Sequence, residues 1–134
     1  MCDSAFFKIK QGETFLESSF FAYWDEPSQT LINYDLAGST LFAQVRATPD
    51  ESGPVLLTMI LGSGLTLSTG AVPTAAPPNP PSNPNGWIAT ISPTVTAALG
   101  PDITYFYDVF VTFPSGQVQC LQSVQLTIAS TTGA

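Results

Sequence analysis

The clearest pattern in the chain is an alternation of apolar and polar positions on either side of Pro114-Ser115-Gly116. Before that tripeptide, Ile103, Tyr105, Tyr107, Val109 and Val111 fall on one face of an extended segment, while Phe106, Asp108, Phe110 and Thr112 fall on the other. After it, Val124, Leu126 and Ile128 alternate with Gln125 and Thr127. A period of two belongs to a β-strand, and two such runs around a turn signal predict a hairpin with one buried and one wet face.

The same pattern, weaker, runs through the rest of the chain. Ala5 to Lys10 reads as a short first strand with Phe7 and Ile9 inward, followed by a turn at Gln11-Gly12-Glu13. Thr14 to Trp24 reads as one long strand with aromatics on both faces, broken at Asp25-Glu26-Pro27-Ser28. Leu31 to Tyr34 reads as a short extended piece, and Asp35-Leu36-Ala37-Gly38 as a turn. Thr40 to Ala47 alternates, with Leu41, Ala43 and Val45 opposite Phe42, Gln44 and Arg46. Val55 to Leu61, Leu65 to Leu67 and Trp87 to Ile91 complete the set. One helix is predicted: Ser92 caps it, Pro93 occupies its first position, and Gly100-Pro101 stops it. About eight short strands separated by turns predict one all-β domain over residues 1–134. The expected architecture is an antiparallel, immunoglobulin-like β-sandwich of 7–9 strands with one short helix.

Residues 71–86 interrupt this pattern with six of the chain's twelve prolines. Proline lacks a backbone donor and fixes φ, so the stretch is expected to be an extended loop inserted between strands. Sixteen residues without regular structure are long for a connection, and such loops are often functional. Pro77, Pro78, Pro80 and Pro81 are therefore candidate contacts of an arm lying on a neighbouring subunit; the plain alternative is a tolerated surface loop.

Composition narrows the function. The chain is 44% hydrophobic but only 10% charged, with Thr, Ser, Gln and Asn filling polar positions. An ordinary domain carries about 25% charged residues, so this surface is expected to associate readily. Three cations against ten acids, net −7, argue against a nucleic-acid partner, which needs clustered Lys and Arg. No apolar run reaches the ~18 residues of a membrane span, and the N-terminus lacks the features of a secretory signal. Two cysteines could form one disulfide, but Cys2 lies near the chain end and Cys120 in a strand. The reading is two unpaired thiols, made in a reducing cytoplasm.

Catalytic readings fail on inventory. With no histidine, the common general base is missing. The carboxylate pairs Asp25/Glu26 and Asp50/Glu51 sit in turn-like stretches where acids are ordinarily solvated. Gly62-Ser63-Gly64 lacks the lysine and following helix of a phosphate loop. No zinc or EF-hand spacing occurs. No enzyme activity, cofactor or metal is expected. Tyr23, Trp24 and Trp87 could stack on sugar rings if exposed, which keeps a carbohydrate-binding or host-adhesion module open; otherwise they fill the core or an interface.

Taken in order, several short motifs carry a resemblance. They are Lys10-Gln11-Gly12-Glu13-Thr14-Phe15, then Asp35-Leu36-Ala37-Gly38, then the strand ending in Val45-Arg46. The short helical Thr94-Val95-Thr96-Ala97-Ala98-Leu99 follows, and then Tyr105-Phe106-Tyr107-Asp108-Val109 and the Pro-Ser-Gly hairpin. The chain resembles small immunoglobulin-like domains of tailed-phage structural proteins. It is similar to the N-terminal domain of baseplate upper proteins and to tail or fibre-attachment proteins. Glu13 and Ala37 depart mildly from that pattern, and the proline-rich insertion departs more. The resemblance implies a virion protein made in the host cytoplasm, a non-enzymatic adaptor that docks on other virion proteins and forms homo-oligomers within the particle. Capsid decoration is the alternative within that class. It implies structural roles for Gly12 and Gly38 in turns and for Asp108, whose carboxylate would tie its strand to the preceding turn. Arg46 could pair with Asp108 or Asp35 across the sheet.

Overall fold

The structure, a computed structural model, describes residues 3–20, 22–27, 29–33, 35–49, 53–69, 75–76 and 83–130. The strands are β1 (Asp3–Lys10), β2 (Phe15–Phe20), β3 (Ala22–Asp25), β4 (Thr30–Asn33), β5 (Thr40–Val45), β6 (Leu57–Leu61), β7 (Gly64–Ser68), β8 (Ala75–Ala76), β9 (Gly86–Ile91), β10 (Ile103–Thr112) and β11 (Val118–Ala129), with helix α1 (Pro93–Ala98) between β9 and β10. Eight of them form one sheet in the order β1-β11-β10-β5-β6-β7-β9-β2, and β3-β4-β8 form a second, small sheet.

The fold is all-β, as the alternation predicts, but the sheet is mixed. β1 pairs with β11 in parallel, and so do β6 with β7 and β4 with β8. The expected purely antiparallel pairing therefore does not hold. The eight-stranded sheet curls into a barrel-like shape around one core. Inward residues from β2 and β9 (Phe15, Trp87, Ala89, Ile91) meet inward residues from β10 and β11 (Tyr105, Tyr107, Val109, Leu126, Ile128). Burying such side chains contributes about 1.5–3 kcal/mol each, which is what holds the curl closed.

The hairpin has the faces its alternation predicts: Tyr105, Tyr107, Val109 and Val111 are buried, as are Val124, Leu126 and Ile128. A bulge between Val109 and Phe110 pairs them with Gln122 and Cys120, which leaves Leu121 without a partner across the ladder. That extra residue reverses the phase of β11 and turns Leu121 into the core, where it is 1% exposed.

Three other expectations are corrected. The long strand expected from Thr14 to Trp24 is two strands, β2 and β3, which enter different sheets. The proline-rich insertion is not wholly irregular, because Ala75 and Ala76 add a two-residue strand to β4. Pro77, Pro78, Pro80 and Pro81 lie outside the described residues. Finally, the two-free-thiols reading fails at Cys120, which is disulfide-bonded; the chain's one other cysteine, Cys2, lies outside the described residues. The parallel β1–β11 pairing sets Asp3 opposite Gln122, two residues from Cys120, a long-range contact that the sequence pattern does not announce.

The predicted helix forms with its predicted cap. Ser92 Oγ accepts from Val95 N (3.4 Å), and Pro93 opens the first turn. Its far end is held by the β1–β2 turn. Gln11 Nε2 donates to the carbonyls of Ala97 (3.0 Å) and Leu99 (2.8 Å), and the buried Thr96 hydroxyl donates to Glu13 O (2.7 Å). Gly12 gives that turn its positive φ of 88°.

At the β6–β7 corner Gly64 has φ 94°, and a Cβ added there would lie 2.8 Å from Met59 Cγ. Gly64→Ala is therefore expected to cost about 1–3 kcal/mol, from left-handed strain and from crowding a buried Met. A lower denaturant midpoint at unchanged slope would show it.

Candidate docking face

In strands β1, β11, β10, β5 and β6 every second residue points away from the core. Their registers line up side chains in rows across the sheet. One row runs Phe6–Gln125–Phe106–Arg46. A second runs Cys120–Phe110–Phe42–Ile60. Between them lies a polar row, Ser4–Ser123–Asp108, continued on the far side by the Gln44–Thr58 pair. Phe6 is 69% exposed, Phe42 42% and Ile60 47%. Single exposed apolar residues are ordinary, but contiguous rows of them mark interaction surfaces. A shallow cleft on this face is walled by Phe42, Phe106 and Phe110, with Gln44, Arg46 and Asp108 at its polar edge.

Arg46 and Asp108 thus share one face without pairing. The Arg46 guanidinium donates through Nε to Gly53 O (3.2 Å) and through Nη2 to Gln44 Oε1 (3.0 Å). Asp108 Oδ1 accepts from Ser123 Oγ (2.6 Å), its direct neighbour on β11. Asp35 is occupied in its own turn: Oδ1 accepts from Ala37 N (3.0 Å) and Oδ2 from Asn83 Nδ2 (3.1 Å). The cross-sheet pairings considered for Arg46 are therefore not made. The ladder is the reason, since Arg46 stands opposite Phe106 and Asp108 lies one row away. Asp108 links two neighbouring strands and does not tie its strand to a turn.

The remaining sequence candidates fall elsewhere. Gly38, at φ 74°, shapes the turn before β5 and lies against the hairpin tip, where an added Cβ would approach Pro114 Cγ to 3.2 Å. Trp87 is 1% exposed and belongs to the core. It offers no face for a sugar ring. Trp24 stands opposite Leu31 in the β3–β4 pair, and its side chain is not among those described.

One residue was missed by the sequence reading. Glu17 shares the inward face of β2 with Phe15 and is 8% exposed. Burial pushes its carboxyl above the ordinary range, and hydrogen bonds from the Ser19 and Gln122 side chains oppose that rise. Ser19 Oγ donates to its Oε2 at 3.0 Å, while Oε1 is buried without a hydrogen bond. The buried Tyr107 hydroxyl is also without one, and its pKa is driven far up by burial and by the nearby Glu17 charge. A period of two counted from Phe15 would have found Glu17. This pair is enclosed in the core, and among the described residues no group of three His, Cys, Asp or Glu side chains is placed to hold a metal. No described helix is long and apolar enough to cross a membrane.

The Glu17 shift has a definite sign. The folded state binds the proton more tightly than the unfolded chain, whose Glu titrates near 4.5. Stability is therefore fullest below that pH and falls as pH rises from there through the raised folded value, levelling off once both states are ionised. Glu17→Gln is expected to abolish that fall and to be the more stable protein at neutral pH. Unfolding midpoints of both proteins across the acid-to-neutral range check this.

No protein-family model matches the chain, and no curated protein sequence matches it significantly.

Proposed function

We propose that this chain is a non-enzymatic structural protein of a bacteriophage virion, an adaptor in the tail, baseplate or fibre-attachment region that docks on other virion proteins. The observation that carries the reading is the outward face just described: exposed Phe6, Phe42 and Ile60 set among Ser, Gln and few charged side chains, on a chain with only 10% charged residues. A surface of that kind gains free energy by being covered. The order of motifs from Lys10-Gln11-Gly12 to Tyr105-Phe106-Tyr107-Asp108 supplies the phage reading and the immunoglobulin-like kinship of the fold. The Cys120 disulfide supports a working life outside the cell, because such bonds persist in oxidising surroundings such as virion surfaces. The localisation that follows is the particle, with synthesis in the host cytoplasm and oxidation afterwards.

Particles purified by density gradient from the host strain that carries the coding region test this. Mass spectrometry should find peptides of this chain in fixed ratio to the tail proteins. Recovery only in the soluble fraction, with particles free of it, overturns the reading.

A further inference from the structure

We propose that Glu17 and Gln122 form a proton-operated clasp between β2 and β11. With Glu17 protonated the two strands are fastened across the core; with Glu17 ionised the β2 edge loosens. The inference is independent of the docking role above.

Atoms without partners carry it. Glu17 is 8% exposed and Tyr107 3%. Glu17 Oε1, Gln122 Oε1 and Tyr107 Oη are all buried without a hydrogen bond. Phase brings the three together. Glu17 has the inward phase of Phe15, Gln122 stands opposite the inward Val109, and Tyr107 lies diagonal to Gln122 on the same face of the hairpin. The Gln122 side chain hydrogen-bonds the Glu17 carboxyl, and Ser19 Oγ donates to Oε2 (3.0 Å). A carboxylate oxygen and an amide oxygen can only accept. An ionised Glu17 therefore leaves both unsatisfied in the core, which is costly. One proton on Glu17 Oε1 changes the count. That oxygen becomes a donor, and Gln122 Oε1 is the neighbouring acceptor that needs one. The amide then both gives to and takes from the acid.

Position makes the clasp matter. β2 ends the order of the eight-stranded sheet, beside β9. An edge strand opens more cheaply than a central one, and opening it hydrates an ionised Glu17 without unfolding the hairpin opposite. Few other titratable groups face the site. Tyr105, also inward on β10, accepts from Gly100 N (2.6 Å). β9 carries none. Cys120 is disulfide-bonded, and Lys8 and Lys10 on β1 are exposed. Asp3 stands opposite Gln122, and its side chain is not among those described.

Native-state hydrogen exchange on the purified full chain, from about pH 4 to about pH 8, tests the proposal. Each rate is divided by that of the unprotected chain at the same pH. The β2 amides should be less protected than those of β5. Their protection should fall by up to about tenfold per pH unit between the unfolded and folded Glu17 values. Glu17→Gln, which mimics the protonated acid, should hold β2 protection high and independent of pH. Glu17→Met removes the charge but not the need of Gln122 for a partner. It should leave β2 about fivefold or more less protected than Glu17→Gln. Asp3→Asn should keep the wild-type profile. The inference is overturned by β2 protection flat with pH in the wild type, or equal to that of β5. It is equally overturned if Glu17→Met protects as well as Glu17→Gln, which would leave charge burial alone at work, or if Asp3→Asn abolishes the pH dependence.

Discussion

Trp87→Ala should lower the unfolding free energy by about 3–5 kcal/mol, the cost of emptying a large aromatic site that cannot collapse fully. Trp87 is 1% exposed and sits on β9, paired with Leu67 on one side and Ser19 on the other. Its side chain belongs to the core cluster with Phe15, Ile91, Tyr105 and Leu126. A domain of this size is stable by about 5–15 kcal/mol, so a fifth or more of the total would go. Phe42→Ala is the informative control: Phe42 has the same outward phase as Gln44 and is 42% exposed, so its loss should leave unfolding nearly unchanged. Denaturant melts of both variants decide. If Trp87→Ala unfolds at the wild-type midpoint, the core described above is wrong.

Reduction of the Cys120 disulfide is expected to cost about 2–5 kcal/mol. A bridge from Cys120 to Cys2, the chain's one other cysteine, would close a loop that spans nearly the whole domain. In the chain-entropy picture, a loop of about 100 residues restricts the unfolded state by about 4.7 kcal/mol, with native strain subtracting from that. Such a bridge would also pin the β1 edge of the sheet, where β1 pairs with β11. Thermal melts with and without reductant should differ by several degrees per kcal/mol lost. Cys120→Ser should melt with the reduced protein and ignore the reductant. Non-reducing peptide mapping should recover the Cys120 peptide joined to the Cys2 peptide. Coincident melts of oxidised and reduced protein would contradict this.

These two cases show where sequence reasoning reaches and where it stops. Local alternation was enough to assign the faces of β5 and β10, because each strand buries a single face and a period of two is read within one segment. The cap of α1 was likewise local, set by Ser92 and Pro93. What escaped depends on distant residues. The parallel β1–β11 pairing joins Asp3 to Gln122, and no turn signal announces a contact across that separation. The disulfide was misread for the same reason. The bulge at Val109/Phe110 was hidden because β11 shows its extra residue only when laid against β10. The break between β2 and β3 was hidden by aromatics on both faces of Phe15 to Trp24, which read equally well as one strand. On the outward face, Arg46 and Asp108 were recognisable as notable residues, but their partners were not. Gly53 reaches Arg46 through a loop, and Ser123 reaches Asp108 through register. Glu17 shows the reverse failure. Its inward phase was readable, but a carboxylate is not expected in a core.

The account as a whole holds that a barrel-like β domain, poor in charge, works by having its outward face covered within a particle. An electron-microscopy reconstruction of purified particles tests that most directly. The account predicts density for this domain at a symmetric position on the tail or baseplate, with Phe6, Phe42 and Ile60 buried against protein. Particles without such density, or with the domain present and that face bare to solvent, would contradict it.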